Sequence, residues 1–180
     1  MTEKLIILDR DGVINKDSDH FIKSPDEWIP LAGSAQAIAR LNEAGYKVGV
    51  ATNQSGIARG IIDEDTLDSM HQKMAMFLAT HDAHIDMIVF CPDHPDRPGP
   101  NRKPAPGMAI QLLEAFSANA KETWFVGDKL SDVFCAINAG CKPALVKTGK
   151  GTRTLESPEL EALSVPVYED LADFVAGLLD

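Results

Sequence analysis

The chain has 180 residues, with 17 Lys and Arg against 27 Asp and Glu, which gives a formal net charge of −10. This length is typical of one domain that buries its own core without disulfide bonds. Hydrophobic residues make up 44% of the sequence and charged residues 24%, close to globular averages, which argues against a disordered chain. The acidity argues against nucleic acid or an anionic membrane as partner, because both need a clustered positive surface.

Three further features argue against membrane-spanning and secreted classes. No apolar run approaches the roughly 20 residues that span a bilayer, and the first residues lack the apolar core of a signal peptide. The cysteines, Cys91, Cys135 and Cys141, are too few and too unevenly spaced for a disulfide framework. We therefore predict a cytoplasmic monomer, with residues 1–180 as a single domain and a small molecule as its partner.

In chain order, short apolar runs alternate with longer segments of helical period. The predicted elements are a strand at 4–8, a helix from 34 to about 44, a strand at 46–52, a helix after 63, a strand at 85–90, a proline-rich loop at 91–104, a helix at 106–118, a strand at 123–126, a helix at 130–139, strands at 143–146 and 165–168, and a helix at 170–179. Ser34 and Asp63 are the predicted N-caps. Ile110, Leu113 and Phe116 are predicted to face the core.

Strands that alternate with helices at this spacing predict an α/β fold. The expected architecture is a three-layer, doubly wound and mostly parallel sheet built from βαβ crossovers. In such a sheet, ligands bind beyond the carboxyl ends of the strands. We expect no cap domain, because only about forty residues separate Asp11 from Thr52 and a helix and a strand take up most of them.

Charged and hydroxyl side chains follow four of the predicted strands. Asp9 and Asp11 come directly after the first strand, and their spacing points both side chains the same way if the chain is extended there. The other three groups are Thr52-Asn53-Gln54-Ser55 at the end of the second strand, Arg102-Lys103-Pro104 after the loop that follows the third, and Gly127-Asp128-Lys129 with Asp132 after the fourth. Each group alone is typical of a cap, turn or solvated loop, but together they predict one site.

This set of residues indicates phosphoryl chemistry with a metal ion. Carboxylates about 4 Å apart repel by roughly 4 kcal/mol per pair at an effective dielectric of 20. A divalent cation relieves that repulsion, and oxygen ligands without Cys or His favour Mg²⁺. A phosphoryl group could then accept hydrogen bonds from Thr52 and Lys103 while one carboxylate attacks phosphorus and its neighbour acts as acid and then base.

The string Asp9-Arg10-Asp11-Gly12-Val13-Ile14-Asn15 resembles the first motif of the haloacid dehalogenase superfamily of phosphatases. Thr52, Lys103 and Gly127-Asp128 stand where that superfamily has its second, third and fourth motifs. Within the superfamily, the strings at 9–15, 52–56, 102–108 and 126–129 resemble those of D-glycero-D-manno-heptose 1,7-bisphosphate 7-phosphatases and the related histidinol-phosphatases. The resemblance extends from residue 4 to about residue 151.

The resemblance implies roles for the matching residues. Asp9 would be the nucleophile and Asp11 the general acid and base, and Mg²⁺ would bind Asp9, the backbone carbonyl of Asp11, and Asp128. Thr52 and Lys103 would hold the transferring phosphoryl group. The implied substrate contacts are Asp17, Ser18, Asp19, His20, Asn53, Gln54, Ser55, Arg102 and Lys129, and Asp132 would lie behind the metal ligands. Separately from the resemblance, Lys150 between two glycines is a candidate with Arg59 and Arg102 for a second phosphate of the substrate.

The loop before Arg102 departs from the family pattern. Many relatives bind a structural zinc there, but here Cys91 and His94 supply at most two of the four ligands that a closed zinc site needs. We therefore predict no structural zinc. The remaining histidines, His71, His81 and His84, are predicted at the surface.

Three functions remain open on the sequence. The first is Mg²⁺-dependent hydrolysis of the 7-phosphate of heptose 1,7-bisphosphate through an aspartyl-phosphate. The second is hydrolysis of histidinol phosphate, which would use the same catalytic residues. The third, of another class, is a phospho-accepting signalling module similar to receiver domains. Arg102 favours the bisphosphate, and Asp11 argues against a stable phosphoryl-protein because it would activate water.

Overall fold

The computed structural model describes residues 2–180, and its strands and helices follow the predicted alternation. The strands are β1 (Leu5–Leu8), β2 (Lys47–Asn53), β3 (Met87–Cys91), β4 (Trp124–Gly127), β5 (Lys142–Val146) and β6 (Val167–Tyr168). The helices are α1 (Ser34–Glu43), α2 (Glu64–Ala79), α3 (Gly107–Ala115), α4 (Leu130–Asn138), α5 (Gly151–Leu155), α6 (Pro158–Glu161) and α7 (Leu171–Leu179). The short helices α5 and α6 were not predicted, because four or five residues are too few to show a helical period in the sequence.

All six strands form one sheet in the order β3-β2-β1-β4-β5-β6, and every pairing is parallel. The central strand β1 pairs with β2 on one side and with β4 on the other, so that Leu8 lies opposite both Val50 and Val126. The strand order therefore reverses at β1, which places the crevice that such sheets use for ligands at its carboxyl end. The α/β prediction is confirmed, and residues 2–180 contain no separate cap domain.

Alternation along β1 sends side chains into two hydrophobic layers. Ile6 and Leu8 pack with residues of α1, α2 and α7 on one face of the sheet. Leu5 and Ile7 pack with residues of α3 and α4 on the other face. Both faces of the central strand are buried, which explains why its sequence is continuously apolar.

Two local predictions need correction. Gly33, at a φ of 81°, is the N-cap of α1, and the Ser34 hydroxyl instead donates to the carbonyls of Ile14 and Leu31. Ile110 is 41% exposed, because α3 turns Met108 and Leu112 toward the sheet. By contrast, Asp63 caps α2 as predicted, since its carboxylate accepts a hydrogen bond of 2.8 Å from the Thr66 N–H.

No helix within residues 2–180 is long and apolar enough to cross a membrane.

Candidate active site

Two buried aspartates lie at the carboxyl ends of adjacent strands. Asp9 follows β1, and its backbone N–H donates to the carbonyl of Val126 in β4 at 3.0 Å, so the chain still runs beside β4 there. Asp128 follows β4 directly. Carboxyl oxygens of Asp9, Asp128 and Asp132 lie within 4.8 Å of one another. The structure thus brings Asp9 to two carboxylates that follow it by 119 and 123 residues in the chain.

Lys103 compensates part of this negative charge. Its Nζ lies 3.0 Å from Asp9 Oδ1 and 2.7 Å from Asp132 Oδ1, and it donates to the carbonyl of Ala51 at 2.8 Å. Asn53, at the end of β2, holds the Lys103 backbone from both sides: its Oδ1 accepts the Lys103 N–H and its Nδ2 donates to the Lys103 carbonyl. Asn53 therefore positions Lys103, besides lining the cavity described below.

The pKa values show how crowded the carboxylates are. Burial and the charge of Asp132 raise the pKa of Asp9 to about 6, despite the opposing effect of Lys103. Burial also raises the pKa of Asp128 to about 8, although Lys129 opposes the shift. Burial alone would lower the pKa of Lys103, but the carboxylates of Asp132 and Asp9 outweigh it and raise that pKa, so Lys103 stays cationic.

A divalent cation fits between Asp9 and Asp128. Asp128 Oδ1 is buried and accepts no hydrogen bond, and its nearest cation, Lys129 Nζ, is 3.9 Å away. Asp132 is different, because one of its oxygens binds Lys103 and the other accepts the N–H groups of Asp128 and Lys129. Asp9 and Asp128 thus supply the available oxygens, and hard carboxylate oxygens are the ligands that Mg²⁺ prefers.

Two glycines allow the backbone to pack against Asp128. A Cβ at Gly12 would lie 2.2 Å from Asp128 Oδ2, and one at Gly149 would lie 2.3 Å from the same atom. Both glycines also have positive φ, 86° and 58°. Because this oxygen accepts the Lys150 N–H at 2.8 Å, the glycines let two loops enclose the carboxylate.

Asp11 is held by neighbours different from those of Asp9. Its Oδ1 accepts hydrogen bonds from Arg10 Nε at 2.8 Å and from Asn15 Nδ2 at 2.9 Å. Its Oδ2 has only a long contact of 3.4 Å with Gln54 Nε2. Burial would raise the pKa of Asp11, but the Arg10 guanidinium and these hydrogen bonds outweigh it and hold the pKa below its ordinary value. Oδ2 is therefore the oxygen available for proton transfer.

A cavity of about 330 Å³ opens above these residues. Its walls are Asp11, Asp17, Ser18, Asp19, Phe21, Ile22, Asn53, Gln54, Ser55, Arg59, Pro95, Arg102, Lys103, Lys129, Ser131 and Lys150. A smaller recess lined by Asp9 shares Asp11 and Lys103 with this cavity. The predicted nucleophile and every predicted substrate contact except His20 thus line these two adjoining spaces.

Four predicted site residues line neither the cavity nor the recess: Asp128 and Asp132, described above, and Thr52 and His20. Thr52 is buried, and its Oγ1 accepts a hydrogen bond from Gln54 Nε2 at 2.9 Å, which leaves the hydroxyl proton for an incoming oxygen. His20 lines a neighbouring groove with Lys23 and Ile29. The structure therefore does not bring the His20 side chain to the cavity that the other substrate candidates share.

A network of ion pairs fastens the loop after β1 to the opposite wall. Lys150 Nζ lies 3.1 Å from Asp19 and 3.5 Å from Asp17, and Lys129 Nζ lies 3.6 Å from Asp17. Arg59 and Arg102 make no ion pair among the described residues. Arg59 lies over the Phe21 ring at 5.5 Å, and Arg102 donates to the carbonyl of Asp93 at 3.1 Å. Both guanidiniums therefore keep unneutralised charge at the cavity.

The proline-rich loop is closed by hydrogen bonds around Asp93. Asp93 Oδ2 accepts the Gly99 N–H at 2.9 Å, while its carbonyl accepts Arg102 Nη1. Cys91 ends β3 as a buried thiol. The absence of a structural zinc stays a prediction, and Asp93 is a residue whose role the sequence did not indicate.

Sequence reasoning missed one residue of the cavity wall and misplaced one histidine. Phe21, Ile22 and Pro95 belong to the loops at 17–31 and 91–104 that the sequence predicts to shape the pocket, but Ser131 lines the cavity without having been predicted. The position of Ser131 in the first turn of α4, just beyond a strand end, was the available signal. His71 was predicted at the surface, which is wrong. It is half-buried, and its Nε2 lies 3.3 Å from Arg10 Nη1. An amphipathic pattern cannot show that a histidine at the edge of a helix face meets a buried arginine.

Known proteins are similar to this chain in both sequence and fold. A HAD-hydrolase-like family model matches residues 100–174. The D-glycero-beta-D-manno-heptose-1,7-bisphosphate 7-phosphatase of Pseudomonas aeruginosa is 48% identical over 179 residues, which cover 99% of each chain. The enzyme of that name from Bordetella bronchiseptica is 49% identical over 176 residues, 98% of each chain. A crystal structure of the D,D-heptose 1,7-bisphosphate phosphatase of B. bronchiseptica, complexed with magnesium and phosphate, superposes with a TM-score of 0.92 over 98% of each chain.

The parallel sheet, the aspartates after β1 and β4, and these matches define a phosphatase of the haloacid dehalogenase (HAD) class, a phosphoric monoester hydrolase. Within that class, the chain belongs to the family of the D-glycero-D-manno-heptose-1,7-bisphosphate 7-phosphatases. Membership of an enzyme family decides against the signalling-module alternative.

Proposed function

We propose that this enzyme hydrolyses the 7-phosphate of D-glycero-D-manno-heptose 1,7-bisphosphate, with Mg²⁺, through a phosphoryl group carried by Asp9. The observation that carries the proposal is the placement of Asp9, which lies 3.0 Å from Lys103 and next to the unpartnered oxygen of Asp128 at the cavity floor. Residues 1–180 would act as one phosphatase domain, which the single six-stranded sheet supports.

Mg²⁺ would be held by Asp9, the backbone carbonyl of Asp11, and Asp128. When bound, it would supply positive charge that offsets the anionic oxygens around phosphorus. Support comes from the raised pKa values of Asp9 and Asp128 and from the magnesium in the B. bronchiseptica structure.

The chemistry would proceed in two displacements on phosphorus. In the first, an oxygen of Asp9 bonds to phosphorus, the bond from phosphorus to the sugar oxygen breaks, and Asp11 gives its proton to that oxygen. In the second, Asp11 takes a proton from water, the water oxygen bonds to phosphorus, and the bond to Asp9 breaks. Lys103 and the Thr52 hydroxyl would donate to the phosphoryl oxygens as charge shifts onto them.

The charges of the cavity favour a substrate with a second phosphate. Arg59 and Arg102 are unneutralised, whereas the acidic Asp17 and Asp19 are both paired with lysines. A cationic substrate such as histidinol phosphate would meet these arginines rather than free carboxylates. We propose that the distal phosphate binds Arg59, Arg102 and Lys150.

A phosphate-release panel tests the function. It would compare both anomers of heptose 1,7-bisphosphate with histidinol phosphate and fructose 1,6-bisphosphate, each with Mg²⁺. We expect the highest kcat/KM for a heptose bisphosphate, and a higher value for histidinol phosphate would contradict the proposed substrate. Mass spectrometry after rapid quenching should find a phosphoryl group on Asp9. Asp9→Asn should abolish turnover, whereas Asp65→Asn, an exposed acid on α2, should not change it.

The distal phosphate has its own test. Lys150→Ala should raise KM for the bisphosphate more than KM for a heptose monophosphate, because only the former would lose an ion pair. An unchanged ratio would remove Lys150 from the distal site without affecting the assignment of Asp9.

A further inference from the structure

Arg10 stands between the predicted nucleophile and the predicted acid, and its side chain is completely buried. One edge of its guanidinium faces Asp11: Nε donates to Asp11 Oδ1 at 2.8 Å, and Nη2 lies 2.8 Å from the same atom as an ion-pair contact without hydrogen-bond geometry. The opposite atom, Nη1, faces α2. There it lies 3.3 Å from His71 Nε2 and 4.0 Å from the sulfur of Met70.

The His71 ring must act as the acceptor in this contact. A guanidinium has only donors, so His71 Nε2 must present its lone pair and the ring proton must reside on Nδ1. Burial and the positive charge of Arg10 lower the pKa of His71 to about 4, which keeps the ring neutral at physiological pH. Thioether sulfur is a weak acceptor, so His71 is the strong partner of Nη1.

The geometry forms a chain of three side chains from a helix to the cavity. His71 is anchored on the second turn of α2, Arg10 spans the interior, and Asp11 Oδ1 receives the guanidinium. A guanidinium is planar, so fixing one edge fixes the orientation of the other. The hydrogen bonds from Arg10 and Asn15 both go to Oδ1 of Asp11, so Oδ2 is the oxygen that can transfer a proton.

We propose that His71 is a positioning residue for proton transfer: by accepting a hydrogen bond from Arg10, it fixes the guanidinium that orients the Asp11 carboxyl group toward the leaving oxygen. The inference rests on the proposed function, in which Asp11 protonates that oxygen. It adds a residue that lies outside the motifs and touches neither substrate nor metal ligand.

The test exploits the difference between leaving groups. A sugar alkoxide needs a proton to leave, whereas 4-nitrophenolate is stable without one, so weaker acid catalysis lowers kcat/KM for the sugar bisphosphate more than for 4-nitrophenyl phosphate. His71→Leu keeps the bulk of the side chain and removes the acceptor. We expect it to lower the ratio of the two kcat/KM values by about tenfold, the size expected from one lost hydrogen bond to a charged group. His71→Gln, whose amide oxygen can accept from Arg10, should restore most of that ratio.

Two controls separate this inference from the function on which it rests. Gln72→Ala, a substitution at an exposed position of the same helix, should leave kcat/KM unchanged for both substrates. Asp11→Asn should lower the same ratio by about 10²-fold or more, since general acid catalysis typically contributes 10²–10⁴-fold. If Asp11→Asn lowers this ratio but His71→Leu lowers kcat/KM equally for both substrates, His71 has only a structural role and the inference is wrong.

If Asp11→Asn itself lacks selectivity, the acid assignment in the proposed function fails, and the role of His71 fails with it. His71→Ala gives the same comparison if His71→Leu does not fold, because alanine is the residue most compatible with a helix.

Discussion

Lys103 lies between two buried carboxylates, those of Asp9 and Asp132, and both contacts are 3.0 Å or shorter. Removing its charge would leave Asp132 with its backbone hydrogen bonds but no cation close to Oδ1. At the residue scale, the stability of the folded site therefore depends on the charge of Lys103.

We expect Lys103→Met to lower the free energy of unfolding by about 3 kcal/mol at neutral pH, because breaking a buried ion pair from one side leaves an uncompensated charge. Urea unfolding followed by circular dichroism measures the change. Lys121→Met, at an exposed lysine, is the matched control and should stay within about 0.5 kcal/mol of the original protein. A loss for Lys103→Met as small as that of the control would contradict the role of the lysine.

The carboxyl groups of Asp9 and Asp128 also predict a pH dependence of magnesium binding. Without metal, their pKa values of about 6 and about 8 exceed the ordinary value of 3.8, so the folded protein binds more protons than the unfolded chain between about pH 4 and pH 8. These two groups therefore destabilise the metal-free fold as pH rises through that range.

Because Mg²⁺ displaces these protons, the increase in Tm at a fixed Mg²⁺ concentration should grow from pH 6 to pH 8.5. Differential scanning fluorimetry with and without a chelator measures it, and Asp128→Asn should remove most of the increase. An equal or larger increase at pH 6 would argue against a cation bound by these two groups.

At the scale of elements, the proline-rich loop shows how a segment without regular structure can place a charged side chain. Asp93 joins two parts of the loop, because its carboxylate accepts from Gly99 and its carbonyl accepts from Arg102. Asn53 then ties the next residue, Lys103, to the end of β2. The loop therefore delivers Arg102 to the cavity wall and Lys103 to the cavity floor.

We expect Asp93→Ala to raise KM for the bisphosphate about fivefold, as for one hydrogen bond of about 1 kcal/mol, with little change in kcat. The reason is that the Gly99 N–H would lose its acceptor, which loosens the loop whose Asp93 carbonyl holds Arg102, while the groups around Asp9 stay in place. Asp93→Asn retains an acceptor for the Gly99 N–H and should behave almost like the original protein. Steady-state kinetics decide, and a fall in kcat with unchanged KM would contradict the prediction.

At the scale of the whole molecule, β1 joins two hydrophobic layers that lie on opposite faces of one sheet. Ile6 packs in the layer under α1, α2 and α7, and Ile7 in the layer under α3 and α4. Both side chains are fully buried. The active site follows directly after this strand, so its position depends on both layers.

We expect Ile6→Ala and Ile7→Ala each to cost about 3 kcal/mol of unfolding free energy, within the range for large-to-small changes in a core. Val167→Ala on the edge strand β6, where the side chain is 38% exposed, should cost much less. Chemical denaturation of the three variants measures the difference. If Ile7→Ala proved as mild as Val167→Ala, the second layer would not contribute as the packing indicates.

The sequence by itself determined the α/β architecture, the six strands and the residues at their carboxyl ends. Periodicity and motifs are local features of the chain, so they can be recognised from the sequence alone. It placed Asp63 as a cap and Asp9, Asp128 and Lys103 at one edge of the sheet. Only the tertiary structure decided that Asp132 forms an ion pair with Lys103 while Oδ1 of Asp128 has no hydrogen-bond partner. It also decided that Asn53 binds the backbone of Lys103 and that His71 contacts Arg10. These contacts join residues 29 to 61 positions apart, or depend on which of two carboxylate oxygens a neighbour contacts. A pattern along the chain carries no information on either.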